Sequence, residues 1–160
     1  MRNLPALETD RLIIRPFEMG DLDAIYRILD IELGEANTGN EGAKAFDARR
    51  AWLEWTVRSY EQLARLYQPP YGERAIALKA SGELIGAVGY VPCLDPFGQL
   101  PYFQSRGAPI GRFSTEFGMF WAIAPAHQRK GYAVEAARAM IEYAFVELRL
   151  FRIIATTTPS

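Results

Sequence analysis

The chain holds one cysteine, Cys93, and one histidine, His127, in 160 residues. A lone cysteine excludes an internal disulfide and any cysteine metal cluster, and with one histidine beside it a zinc site has too few ligands. No metal centre is expected. No apolar run reaches the ~20 residues that a membrane-spanning helix needs, and Met1-Arg2-Asn3-Leu4-Pro5 lacks the apolar stretch of a signal peptide. These absences favour a soluble, cytoplasmic protein with no membrane partner. A net charge of −1 argues against broad nucleic-acid binding. Neither Gly-x4-Gly-Lys-Ser/Thr nor a strand-linked Gly-x-Gly-x-x-Gly occurs, which weakens the case for a nucleotide-phosphate enzyme of those types.

Apolar residues are plentiful. A composition of 49% hydrophobic and 23% charged residues fits one globular domain with a real core over 1–160. Charge is unevenly spread: residues 1–47 carry ten acidic side chains against five basic ones, so the remainder is positive. An acidic front and a basic back suit a cationic acceptor on one side and an anionic cofactor on the other. A solvated helical surface explains most of the individual charges as well.

Leu7 to Phe17 is rich in β-branched residues and stops at Pro16, so it reads as one strand. Leu22, Ile25, Tyr26 and Leu29 then follow helical spacing after a cap at Gly20 or Asp21. Gly34, Gly39 and Gly42 mark Ile31–Ala43 as a loop. A second helix is expected over Asp47–Tyr67, with Trp52 and Trp55 widening its buried face. Glu73–Lys79 and Glu83–Val91 read as a hairpin, where Gly86 and Gly89 signal a bulge or a close backbone approach. Seven prolines and glycines make Pro92–Arg112 an irregular excursion anchored by Phe97, Leu100, Tyr102 and Phe103.

Ser114–Ile123 is the central strand, with Phe117, Met119, Trp121 and Ile123 on one face and Glu116, Gly118, Phe120 and Ala122 on the other. A helix over Gly131–Glu147 should bury Val134, Ala137, Met140, Ile141, Ala144, Phe145 and Leu148. Glu135 and Glu142 are expected to make surface pairs with Arg138. Leu150–Thr157 is a last strand, parallel to the central one because a helix crosses between them.

The passage from strand to helix carries the chemistry. The strand ends at Pro125, a short basic loop follows, and a helix opens at Gly131. First-turn N–H groups without intrahelical partners and the positive end of the helix dipole favour a phosphate there. Gly131 and Ala133 keep the approach clear, and Arg129 and Lys130 add charge.

Here Gln128-Arg129-Lys130-Gly131-Tyr132-Ala133 resembles the Gln/Arg-x-x-Gly-x-Gly/Ala signature of the GNAT superfamily of N-acetyltransferases. The following Val134-Glu135-Ala136, and Leu7-Glu8-Thr9-Asp10-Arg11-Leu12 with Arg15-Pro16, resemble its ribosomal-protein N-terminal acetyltransferase branch. The resemblance implies an α/β fold of three layers (α+β), with a mixed, mostly antiparallel sheet flanked by helices. It also implies acetyl-CoA as co-substrate and a primary amine as acceptor, whether a protein N-terminus or a small molecule. Family members continue past this point with a further helix and two more strands, so the chain reads as a fragment or a minimal version ending after a fifth strand. Relative to the family, 92–112 is an insertion that either covers the acceptor site or forms a homodimer contact.

The resemblance implies that backbone N–H groups from Arg129 to Ala133 hold the pyrophosphate. The pantetheine arm would hydrogen-bond the backbone of Trp121, Ala122 and Ile123, where a strand-end amide polarises the thioester carbonyl. Glu116, the carboxylate on the central strand, is the candidate base, directly or through water. A structural role for Glu116 at the strand edge is the competing expectation. His127 in the loop and Cys93 outside the motif are not expected to catalyse. A non-catalytic acyl-CoA-binding or interaction domain is the alternative function.

Overall fold

Leu12 and Ile14 are fully buried and two positions apart, so one face of their strand is committed to the core. The computed structural model describes residues 4–34, 43–69 and 71–155. Its strands are β1 (Leu7–Glu8), β2 (Leu12–Pro16), β3 (Glu73–Leu78), β4 (Leu84–Asp95), β5 (Ser114–Ile123) and β6 (Ile153–Ile154). They form one sheet in chain order, antiparallel from β1 to β5 and parallel between β5 and β6. The mixed, mostly antiparallel sheet expected from sequence is thus present, with six strands rather than five.

The extra strand arises at the start. Leu7–Phe17 does not run straight, because the Thr9 amide donates to the Leu12 carbonyl and the Leu12 amide donates back to Thr9 Oγ1, each at 3.0 Å. That reciprocal pair closes a tight turn through Asp10 and Arg11, and Leu7 folds back opposite Ile14.

One face of the sheet is covered by α1 (Leu22–Tyr26), which continues as a π-helical turn over Arg27–Glu32, and by α2 (Phe46–Arg65). A 3-10 turn over Met19–Asp21, capped at Glu18 in a reciprocal box with Asp21, leads into α1, whose N-cap is Asp21, one of the two positions expected from sequence. The buried residues there are Ile25, Ile28 and Leu29, packed with Phe17, Leu53 and Ala87. Asp30 and Arg49 form a buried ion pair between the helices at 2.7 Å. Trp52 packs edge-on against Phe17 with centroids 5.6 Å apart, as expected, but Trp55 is 64% exposed. Two positions on from buried Leu53, Trp55 falls on the far side of the helix. Most of the loop expected at Ile31–Ala43 lies outside the described residues.

The opposite face is covered by α4 (Tyr132–Val146), introduced after the short α3 (Pro101–Gln104). Ala136, Met140, Tyr143 and Ala144 are its buried residues. Val134, Ile141 and Phe145, expected inside, are exposed. The buried face of the helix thus combines two alanines with Met140 and Tyr143, and Met140 and Ala144 were among the residues expected inside.

Pairing of β4 with β5 continues to Asp95 opposite Ser114, so Pro92 lies within a strand and the excursion is shorter than expected. Pro92 is tolerated because β3 has ended by then, with Glu73 opposite Gly89, and no ladder partner needs its missing N–H. The excursion holds a short turn at Phe97–Gln99 and α3. Both sequence readings of the β4 glycines hold. Ile85 is an extra residue between Leu84 and Gly86, forming a bulge, and a Cβ on Gly86 would fall 2.1 Å from the Ala122 carbonyl oxygen. No helix among the described residues is long and apolar enough to cross a membrane.

Candidate active site

β5 hands over to α4 through a loop with little freedom. The Ala124 amide still donates to Ile85, and Pro125–His127 then makes a single 3-10 turn closed by the His127 amide on the Ala124 carbonyl. Gln128 turns its side chain back and donates to the Ile123 carbonyl at 3.0 Å, fixing the direction in which the chain leaves the sheet. Lys130 Nζ donates to the Ala126 carbonyl at 2.8 Å. Gln128 and Lys130, both expected to touch a cofactor, are therefore already engaged within the loop. Arg129 is exposed and makes no ion pair among the described residues.

Arg129 (φ +60) and Gly131 (φ +83) are both left-handed, one residue apart. Such alternation turns successive N–H groups toward one concavity, an arrangement suited to anions. Gly131 caps α4 without a side-chain hydrogen bond, and no acceptor among the described residues receives the Tyr132 and Ala133 amides. The entrance is open, with Gly131 itself exposed. These residues fit a diphosphate: glycine supplies the backbone conformation, and the free amides supply the donors.

The adjoining edge of β5 is also open. β6 pairs with it only at Phe117 and Gly118, so beyond Gly118 that side of β5 has no strand partner among the described residues. Trp121 is 47% exposed, Ala122 is half-buried and Ile123 is buried. On its other side β5 stays paired with β4 through Ile123. An extended, amide-bearing ligand arm therefore has one edge along which to add.

Glu116 lies seven residues back along β5 from Ile123, roughly 23 Å away. It is buried and forms an ion pair with Arg152, which precedes β6. The Arg152 guanidinium lies 4.4 Å from the Phe97 ring centroid and 4.5 Å from that of Phe103. The excursion thus reaches the end of the sheet where Glu116 sits. Cys93 Sγ donates to the Glu116 carbonyl at 3.5 Å, and burial pushes its thiol up, which makes it a poor nucleophile. His127 faces Glu83 at 3.3 Å, away from Glu116. No group of three or more metal-ligating side chains occurs among the described residues.

Two features escaped the sequence reading. Glu135 does not pair with Arg138; it accepts from Thr9 Oγ1 at 2.5 Å and from the Arg11 backbone and side chain at 2.9 and 2.7 Å. Thr9-x-Arg11 of the first motif and Glu135 of the second were the available signal, but only the fold shows that they meet. Second, an apolar cavity of about 230 Å³ lies between α2 and the free edge of β4, lined by Trp55, Tyr60, Leu63, Tyr71, Tyr90 and Val91 among others. Trp55 is off the core because it faces this groove.

Comparison with known proteins agrees with this geometry. The acetyltransferase (GNAT) domain family matches residues 11–160. YnaD of Bacillus subtilis, described as an uncharacterized N-acetyltransferase, is 29% identical over 157 residues, covering 96% of this chain and 73% of that protein. A GNAT-family acetyltransferase structure from Bacillus anthracis superposes with a TM-score of 0.70 at 22% identity, over 97% of this chain and 75% of the other. A structure described as a ribosomal-protein-serine acetyltransferase from Vibrio cholerae superposes at 0.62 with 15% identity, over 99% and 77%; both share the fold. With its strand-to-helix entrance inside the matched region, the chain belongs to the GNAT acetyltransferase domain family and is an acetyltransferase.

Proposed function

We propose that the domain moves an acetyl group from acetyl-CoA to a primary amine by direct attack, with both substrates bound together. The observation that carries this reading is the solvent-open entrance of α4, whose cap, Gly131, makes no side-chain hydrogen bond, beside the unpaired edge of β5. Acetyl-CoA supplies the activated acetyl group when bound. The amides of Arg129 to Ala133 and the Arg129 side chain hold its diphosphate, and the backbone of Trp121, Ala122 and Ile123 aligns its arm along β5. Gln128 and Lys130 act by shaping the loop, given their internal hydrogen bonds.

Glu116 takes the proton released as the amine nitrogen bonds to the acetyl carbon and the carbon–sulfur bond breaks, directly or through water. CoA leaves as the thiolate. Arg152 engages Oε1 of Glu116 and packs against Phe97 and Phe103, which leaves Oε2 as the oxygen that takes the proton. The acceptor enters from the α1–α2 side, where Trp55 and the groove beside β4 offer apolar contact to a peptide N-terminus or a small-molecule amine.

Free-thiol release with acetyl-CoA and a panel of amines tests the proposal. Thiol release that depends on one class of amine is expected. Binding of CoA without turnover for every amine favours the acyl-CoA-binding alternative. Glu116→Gln should keep CoA affinity and lower kcat by about 10²-fold or more. An unchanged rate across pH removes Glu116 as the base.

A further inference from the structure

We propose that Arg11, held by Glu135 and Thr9, is a positioning residue for the diphosphate site; this rests on the function proposed above. Two segments more than a hundred residues apart meet at the helix entrance. Arg11 Nε and Nη2 both engage Glu135 Oε2, at 2.7 and 2.6 Å, while Nη1 donates to the Lys130 carbonyl at 3.0 Å. The guanidinium carbon sits 4.5 Å over the ring of Tyr132, the first residue of α4. Its Nη2 is 3.3 Å from where a Cβ on Gly131 would stand.

The contact with the Lys130 carbonyl sets the direction of a donor. No cis peptide bond occurs among the described residues, so the Lys130 carbonyl and the Gly131 N–H point in opposite directions within one rigid peptide plane. Tying the carbonyl to Arg11 aims the Gly131 N–H away from Arg11, into the concavity formed with Arg129. The same bond covers a carbonyl dipole that would otherwise turn its negative end toward a bound phosphate.

The contact with Glu135 removes a competitor. Glu135 lies in the first turn of α4, where a carboxylate is drawn to the same amides and the same dipole that attract a phosphate. Here both of its oxygens are occupied: Oε1 by the Thr9 hydroxyl and the Arg11 amide, Oε2 by the Arg11 guanidinium. Without the Arg11 side chain Oε2 loses its partner beside the entrance, while Oε1 keeps the Thr9 hydroxyl and the backbone amide of residue 11. The prediction is specific to position. Three of the five guanidinium N–H groups are committed to Glu135 and the Lys130 carbonyl, which pins Arg11 to the loop, and the role assigned to it is exerted through that loop.

The test compares CoA with S-acetylpantetheine, a thioester that lacks the diphosphate, on full-length chains. Calorimetric Kd for CoA should rise about tenfold or more in Arg11→Ala, the scale of a lost charged hydrogen bond. The KM for S-acetylpantetheine and kcat at saturation should stay unchanged. Arg11→Lys keeps the charge but cannot bridge Glu135 and the Lys130 carbonyl together, so its Kd should remain close to that of Arg11→Ala. Glu135→Gln added to Arg11→Ala should recover part of the loss, since the unpartnered carboxylate oxygen is then gone. Thr9→Val, which removes the hydroxyl's bonds to Glu135 and to the Leu12 amide but leaves the Arg11 guanidinium in place, should show a smaller loss in the same direction and covers the case in which Arg11→Ala does not fold.

Full recovery by Arg11→Lys would show that charge alone matters and would overturn the proposal. Equal loss for both thioesters would show general damage to the fold, with the same consequence. If wild-type chain binds no CoA, the underlying functional reading fails and takes this one with it. If wild type binds and Arg11→Ala binds equally well, this inference alone is overturned.

Discussion

Asp30 and Arg49 are almost sealed from solvent, with side chains 1% and 3% exposed, and two hydrogen bonds at 2.7 and 2.9 Å join them. Removing one partner of such a pair strands a charge where water cannot reach it. Asp30→Asn should therefore destabilise the fold by about 3–5 kcal/mol, read as a lower midpoint in urea at unchanged slope. Glu135 gives a pH prediction. Burial pushes its carboxyl up, but hydrogen bonds from Thr9 and from the backbone and side chain of Arg11 outweigh that, so it sits below its ordinary value. A depressed folded pKa means its stabilising share is complete above the unfolded pKa and fades as the pH falls through the folded one. The stability gap between wild type and Glu135→Gln should be flat near neutrality and shrink on acidification below the ordinary carboxylate range. Denaturant titrations of both chains at stepped pH check this; a gap that widens on acidification would contradict the assignment.

At the scale of elements, β5 and the two strands of the central hairpin were legible because each has a clear boundary in sequence. Ala80-Ser81-Gly82 ends one strand and begins the next, and Pro125 marks where β5 gives way to the loop. The entrance at Gly131 was legible for the same reason. The turn at Thr9 was not, since it is built from a side-chain oxygen and needs neither glycine nor proline. The buried face of α4 was legible in Met140 and Ala144 and misjudged at Val134, Ile141 and Phe145, because hydrophobicity alone favours them, whereas Ala136 and Tyr143 complete the face that packs on the sheet. Backbones approach closely at Gly86, where an added methyl would meet the backbone of Ala122. Gly86→Ala should cost about 1–3 kcal/mol through overpacking. Because the strained partner belongs to the proposed arm-binding edge, it should also raise the KM for acetyl-CoA. Thermal unfolding and initial-rate kinetics on one preparation measure both effects.

For the molecule as a whole, part of the acidic excess of residues 1–47 is neutralised by pairing within the fold. Glu8, Asp21, Asp30 and Glu32 are each held in ion pairs with Lys79, Arg15, Arg49 and Arg27. Pairing across the fold is a tertiary property, and charge tallies along a chain cannot show it. The same holds for the meeting of Arg11 with Glu135, which joins the first turn of the sheet to the entrance of α4. The central claim is that this entrance binds a diphosphate. Calorimetric titration of CoA into wild type and Gly131→Glu tests it most directly, because the substitution puts bulk and negative charge at the cap. The account predicts saturable binding to wild type and a loss of at least about 10²-fold in Gly131→Glu, with matching circular dichroism. Equal affinity in the two folded chains would contradict it.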